Sequence, residues 1–139
     1  MTALMGLQSL VFYSIHSWGP TVMLTAGIDA TTAGWLLSLL SVASIVSNLA
    51  GPVVLQGRRT TPGLLVIGAW YVIGAALLPW GLVAAAVGVC VLGLAIGASL
   101  TFALTKISTA FPVQLTGTMS AMAQGFGYLL AGLGPWLFG

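Results

Sequence analysis

The sequence predicts an all-α fold, a polytopic bundle of about five membrane-crossing helices in a single domain, and three observations predict it. Hydrophobic residues fill 59% of the 139 positions and charged residues 3%, too few to coat a domain in water. The four charged residues, Asp29, Arg58, Arg59 and Lys106, fall between long apolar runs, where loops punctuate membrane spans. At about 20 residues per crossing of the hydrocarbon core, the chain has room for five spans and very short connections.

The first span covers 4–26 and ends in a turn at Gly27-Ile28-Asp29, where Asp29 can cap the first amides of the next helix. The second covers 33–56 and stops at Gly57-Arg58-Arg59. Thr60-Thr61-Pro62 reads as a helix start, with Thr61 as N-cap and Pro62 at the first helical position, so the third span covers 63–82. The apolar stretch from Gly63 to Thr105 is too long for one crossing and holds no charge. Its break therefore rests on backbone signals, best supplied by Pro79-Trp80-Gly81, with Trp80 suited to the interface. The fourth span covers 83–105, a polar loop runs from Lys106 to Thr116 through Pro112, and the fifth span covers 117–139.

Arg58, Arg59 and Lys106 fall in two loops on one face, which the positive-inside rule makes cytoplasmic in a multi-pass protein of the cell membrane; the Asp29 loop is then outside. The N-terminus lacks the basic region of a cleavable signal peptide. Gly19-Pro20, Gly51-Pro52 and Gly134-Pro135 interrupt three spans, as kinks that fit the bundle or as hinges.

The polar residues of the first span share a face. With Gln8 set at zero, about 100° per residue puts Phe12 at about 40°, His16 at about 80°, Ser9 at about 100° and Tyr13 at about 140°. Polar side chains at membrane depth need partners or an aqueous cavity, so this stripe points into the protein. The fifth span repeats the pattern with Ser120, Gln124 and Tyr128 at i, i+4 and i+8. Interhelical hydrogen bonds and contact with a small polar solute both account for these faces. His16 has three readings: a neutral hydrogen-bonding imidazole, a substrate contact or a proton shuttle. Small residues on the second span and Gly93-Leu94-Ala95-Ile96-Gly97 on the fourth permit close helix packing, with Asn48 read first as an interhelical bond. Lys106 reads as a positive loop anchor, and Cys90 as a small packing residue.

Enzyme chemistry has no material here. The chain holds no Glu, one Asp, one His and one Cys, so paired-carboxylate, metal-ligand and Cys-His-Asp sets cannot be assembled within it. No phosphate-cradling glycine loop occurs, no cofactor or metal is expected, and a net charge of +2 marks orientation and not nucleic-acid binding.

The runs LQSLVFYSIHSWGPTVMLTAGIDATTAGWLLSLLSVAS and LTGTMSAMAQGFGYLLAGLGPWLFG resemble the C-terminal half of major facilitator superfamily transporters, in the branch of cyanate and nitroimidazole permeases. The likeness covers nearly the whole chain, and SAMAQGFGYLLAGLGP, residues 120–135, is its most specific part. The resemblance makes the five spans helices seven to eleven of a twelve-helix carrier, with Gln8, Tyr13 and Trp18 in the seventh and Gln124 and Tyr128 in the eleventh. It implies a secondary-active carrier for a small polar, often anionic solute such as cyanate, whose two halves alternate between inward and outward openings. The expected substrate contacts are Gln8, Phe12, Tyr13, His16, Ser120, Gln124 and Tyr128. On this reading the chain is a fragment, truncated or split and inactive alone, whose partners are lipid, the solute and the missing N-terminal half. The other reading is a small membrane scaffold that self-associates through its small-residue faces.

Overall fold

The computed structural model describes residues 2–55 and 60–133, which form five α-helices and, among the described residues, no strand. α1 spans Thr2–Thr25, α2 Ala30–Leu55, α3 Thr60–Leu77, α4 Leu82–Ala110 and α5 Val113–Gly132. Arg58, Arg59 and the Gly134-Pro135 pair lie outside the described residues.

Local chemistry sets the first turn. Gly27 adopts φ 81°, a left-handed conformation that a Cβ disfavours. Its N–H donates to the Leu24 carbonyl at 3.0 Å, and the Ile28 N–H donates to the Met23 carbonyl at 3.0 Å, closing the carbonyl end of α1. Met23 and Ile28 are buried in one apolar cluster. Asp29 then caps α2: its Oδ2 accepts from the Thr32 backbone N–H at 2.9 Å and its Oδ1 from the Thr32 hydroxyl at 2.7 Å. These two bonds hold the exposed carboxyl below its usual pKa. The α3–α4 break falls at Pro79-Trp80-Gly81, where Gly81 takes φ 90° immediately before α4.

Three boundaries differ from expectation. α3 begins at Thr60, so Thr61 lies inside the helix and is not its N-cap; Pro62 still sits in the first turn, where its N–H would lack an intrahelical acceptor anyway. α4 continues past Thr105 to Ala110, so Lys106 is helical and no loop residue. There the Ser108 and Thr109 hydroxyls donate to the Thr105 carbonyl at 2.9 and 3.0 Å, which lets a polar segment stay helical. The helix stops only at Phe111, which Pro112 confines to extended backbone at φ −126° and ψ 151°. α5 accordingly starts at Val113 instead of 117. α1 and α2 run through Pro20 and Pro52 without ending.

α4 is the central helix, with α2 along one face and α3 along another. Gly93 meets Leu40, Ala43 and Ser44 of α2, and Gly97 meets Ser44, Ser47 and Asn48, so the two helices advance in parallel. A methyl group on Gly93 would fall on the Leu40 carbonyl, and one on Gly97 on the Ser44 carbonyl, which is why neither position tolerates a side chain. α3 runs antiparallel to α4, with Gly74 against Gly88 and Leu92 and with Gly63 near Phe102. α1 packs on α5, where Gly127 faces the Met5-Gly6 backbone, and touches α2 and α4 more sparsely. The Asp29 turn and the Pro79-Trp80-Gly81 break therefore lie at one end of the bundle, and Lys106 at the other.

The outside of the bundle is apolar: Trp35 is 72% exposed and Leu49 77% exposed, as suits helices solvated by lipid. α2, over Ala30–Gly51, and α4 are each long and apolar enough to cross a membrane. α1, with 24 residues, is about 36 Å long, which is ample for a crossing, although polar side chains dilute its hydropathy. The chain is a membrane protein built as a helical bundle.

Gly97→Ala is expected to destabilise the bundle by about 1–3 kcal/mol, the range for overpacking a tight contact. Gly125→Ala, where nothing lies within 4 Å of the added methyl, is expected to be neutral or stabilising by up to about 1 kcal/mol. Unfolding from mixed micelles, followed by far-ultraviolet circular dichroism, separates the two; equal losses contradict the backbone contact. The Asp29 cap carries a pH signature. Because its folded pKa lies below the unfolded value, its stabilisation is fully present above the ordinary carboxylate range and is lost as pH falls through the depressed pKa. Asp29→Asn is expected to remove that part of the acid sensitivity of the thermal midpoint, and an unchanged pH profile would rule the cap out as its source.

Candidate functional site

α1 presents its polar stripe on the buried side. Gln8 is 9% exposed, and Ser9, whose hydroxyl lies 3.4 Å from the Gln8 amide oxygen, is also buried. Phe12 and His16, one turn apart, bring their rings to 4.1 Å between centroids, and Tyr13 stands edge-on to Phe12 at 5.4 Å. His16 Nδ1–H donates to the Phe12 carbonyl at 2.9 Å, since a carbonyl can only accept; a neutral imidazole then keeps Nε2 as a free acceptor. Tyr13 lies at the border of the stripe, 43% exposed. Between two and three turns of α1 therefore hold Gln8, Phe12, Tyr13 and His16 together as one aromatic and amide face.

The α5 residues divide. Ala123, Gly127 and Ala131 are buried, and the contact of Gly127 with Met5-Gly6 fixes this side of α5 toward α1. Ser120 and Gln124 flank it, half-buried, while the 40° drift at each i+4 step carries Tyr128 outward to 52% exposure. No interhelical hydrogen bond joins these residues to the α1 stripe among the described residues. The polar groups that do bond between helices lie elsewhere. Ser47 of α2 donates to the Leu94 carbonyl of α4 at 2.8 Å, and Thr101 of α4 donates to the Asn48 amide oxygen of α2 at 2.6 Å. Tyr71 of α3 pairs with Ser99 at 2.9 Å, and Ser99 in turn donates to the Ile96 carbonyl at 2.9 Å. Asn48 is thus an interhelical acceptor, as its position in the sequence indicates.

Two concavities adjoin these helices. One, of about 390 Å³, is an apolar groove lined by Leu10, Val11, Ile15, Trp18 and Leu78, into whose wall Ser14 brings a buried hydroxyl with no hydrogen-bond partner. The other, also about 390 Å³, lies where α2, α4 and α5 meet near the Lys106 end. It is lined by Asn48, Thr101, Thr105, Ser108, Thr116 and Ser120. Ser120 therefore belongs to this crevice. Thr101, Thr105, Ser108 and Thr116 are absent from the expected site; a loop from Lys106 to Thr116 takes Ser108 and Thr116 off their helices and leaves Thr101 and Thr105 as an isolated pair at the end of a span, without the i, i+4, i+7 stripe that Ser108 completes on α4. Lys106 points to another side of α4, its ammonium 5.6 Å from the centroid of the Phe102 ring.

The sequence aligns along nearly its whole length with part of known transporters. It is 37% identical over 143 residues to the uncharacterized transporter YycB of Bacillus subtilis (strain 168), covering 97% of this chain and 35% of that protein. It is 31% identical over 141 residues to the 2-nitroimidazole transporter of Escherichia coli (strain K12), covering 100% of this chain and 36% of that protein. It is also 31% identical over 137 residues to the cyanate transport protein CynX of the same organism, covering 96% of this chain and 35% of that protein. The chain spans about a third of the length of the curated relatives it matches. All three are named for transport and none for catalysis. No family model matches the sequence, and no solved structure does.

The geometry of His16 is open to direct measurement, because the chain has one histidine. Nitrogen-15 spectra of the labelled chain, taken where the imidazole is neutral, are expected to show Nδ1 protonated and Nε2 bare. The opposite tautomer would break the bond to the Phe12 carbonyl and redirect the ring.

Proposed function

From a chain homologous to a stretch of the cyanate and nitroimidazole permeases of the major facilitator superfamily, we propose that it forms part of a secondary carrier for a small polar solute. Gln8, Phe12, Tyr13 and His16 of α1 with Ser120, Gln124 and Tyr128 of α5 contribute solute contacts. One observation carries this reading. The polar side chains that bind helices to one another sit on α2, α3 and α4, whereas those of α1 and α5 bond only within their own helix or not at all among the described residues. A polar group held at membrane depth without an interhelical role needs another partner, and a transported solute supplies one. The relatives named for 2-nitroimidazole and cyanate support solutes of that size, anions included. Lys106 at one end and Asp29 at the other support a cytoplasmic Lys106 end in the cell membrane. The remaining helices of a complete carrier supply the facing half, so the chain alone does not transport.

A chimera tests this. The chain replaces the matching stretch of the 2-nitroimidazole transporter, and uptake of 2-nitroimidazole and of cyanate is followed in cells. Gln124→Ala, Tyr128→Ala and Tyr13→Ala are each expected to lower uptake by about tenfold, the order expected for one or two lost hydrogen bonds, at unchanged protein level in the membrane. Unchanged uptake in all three removes this face from the site, and a well-inserted chimera that carries neither solute counts against the carrier reading.

A further inference from the structure

The crevice between α2, α4 and α5 is not part of the aromatic face on α1, and its chemistry differs. Three of its hydroxyls have spent their protons: Thr101 donates to the Asn48 amide oxygen at 2.6 Å, Ser108 to the Thr105 carbonyl at 2.9 Å and Thr116 to the Pro112 carbonyl at 3.1 Å. Each hydroxyl oxygen keeps lone pairs able to accept. The donors left are the amide nitrogen of Asn48 and the hydroxyls of Thr105 and Ser120, beside one apolar side chain, Leu104, so the lining offers both kinds of group. Among the described residues no charged side chain lines the space, and the Lys106 ammonium sits over Phe102, a ring packed with Ile67 of α3 and Ala98. About 390 Å³ lies within the range of small-ligand sites.

We infer that this crevice is a second solute subsite, near the Lys106 end, that takes a small uncharged molecule presenting N–H or O–H donors together with acceptors. A lining that sets free acceptors beside free donors is satisfied by a neutral amide or N–H heterocycle, which carries both kinds of group. The inference rests on the carrier reading for its biological sense, but not for its chemistry.

The test uses the full chain in lipid nanodiscs, with Cys90→Ser as background and Thr105→Cys as reporter. A charged methanethiosulfonate reagent should modify Thr105→Cys about tenfold or more faster than Val42→Cys on the exposed face of α2, as a hydrated crevice requires. Millimolar 2-nitroimidazole, kept uncharged at mildly acidic pH, should slow that modification, and 1-methyl-2-nitroimidazole, which lacks the N–H donor, should slow it less. Thr116→Val and Ser120→Ala should each weaken the protection by about fivefold, the factor for about one hydrogen bond. Modification of Thr105→Cys no faster than of Val42→Cys overturns the inference, as does fast modification that 2-nitroimidazole leaves unchanged, or equal protection by 1-methyl-2-nitroimidazole. Ser108→Cys serves as reporter if Thr105→Cys fails to insert. Because the readout is modification and not uptake, its failure leaves the α1–α5 reading standing, and the converse also holds.

Discussion

The bundle is organised by the place where two backbones touch. Lipid tails are as apolar as leucine, so helices in a membrane gain little by hiding apolar side chains from one another and associate through close packing and hydrogen bonds. At Gly93 and Gly97 the α4 backbone comes so near the Leu40 and Ser44 carbonyls of α2 that no side chain fits between them. The hydrogen bonds from Ser47 and from Thr101 to Asn48 flank this contact. Each such bond contributes about 0.6 kcal/mol on average and rarely more than 1–2, so the extended close approach outweighs them and sets the helix register. With α2 and α4 fixed in parallel, α3 has only the opposite side of α4 to occupy.

That arrangement separates two uses of polarity. On α2, α3 and α4, hydroxyl and amide groups are consumed in holding helices to each other or in satisfying their own carbonyls. On α1 the amide, phenol and imidazole gather on one face without crossing to a neighbour. The distinction lies in what each group bonds and not in residue type, since serine appears both among the groups that bond between helices and on the α1 face.

Much of this was legible in the chain, and for identifiable reasons. The Asp29 cap, the Gly27 turn and the Pro79-Trp80-Gly81 break depend on a few neighbouring residues, and local chemistry is what a sequence displays directly. The burial of Gln8 and Ser9 follows from helical periodicity and the cost of polar groups in lipid, whereas Tyr13, about 140° round from Gln8, lies far enough from the centre of the stripe to be exposed. The glycine spacing on α4 announces a close contact, but which helix supplies the other surface is a property of the assembled bundle. The end of α4 was misread because Lys106 resembles a loop marker, whereas in the structure the nearby hydroxyls are satisfied within the helix and the ammonium rests on an aromatic ring. Part of the crevice was hidden with it, since Ser108 needed a longer α4 and Thr116 an earlier start of α5 to come into line with Thr101 and Thr105.

α1 and α5 grip each other firmly, while each meets the α2–α3–α4 trio over a small area. The molecule thus has one joint softer than the rest, and the hydroxyl-lined crevice opens along it, with Asn48 and Thr101 on the trio and Thr116 and Ser120 on the pair. A rotation of the pair would change the crevice's width while leaving the glycine contacts of α4 untouched, so that width is the dimension the bundle can alter with the least loss of packing.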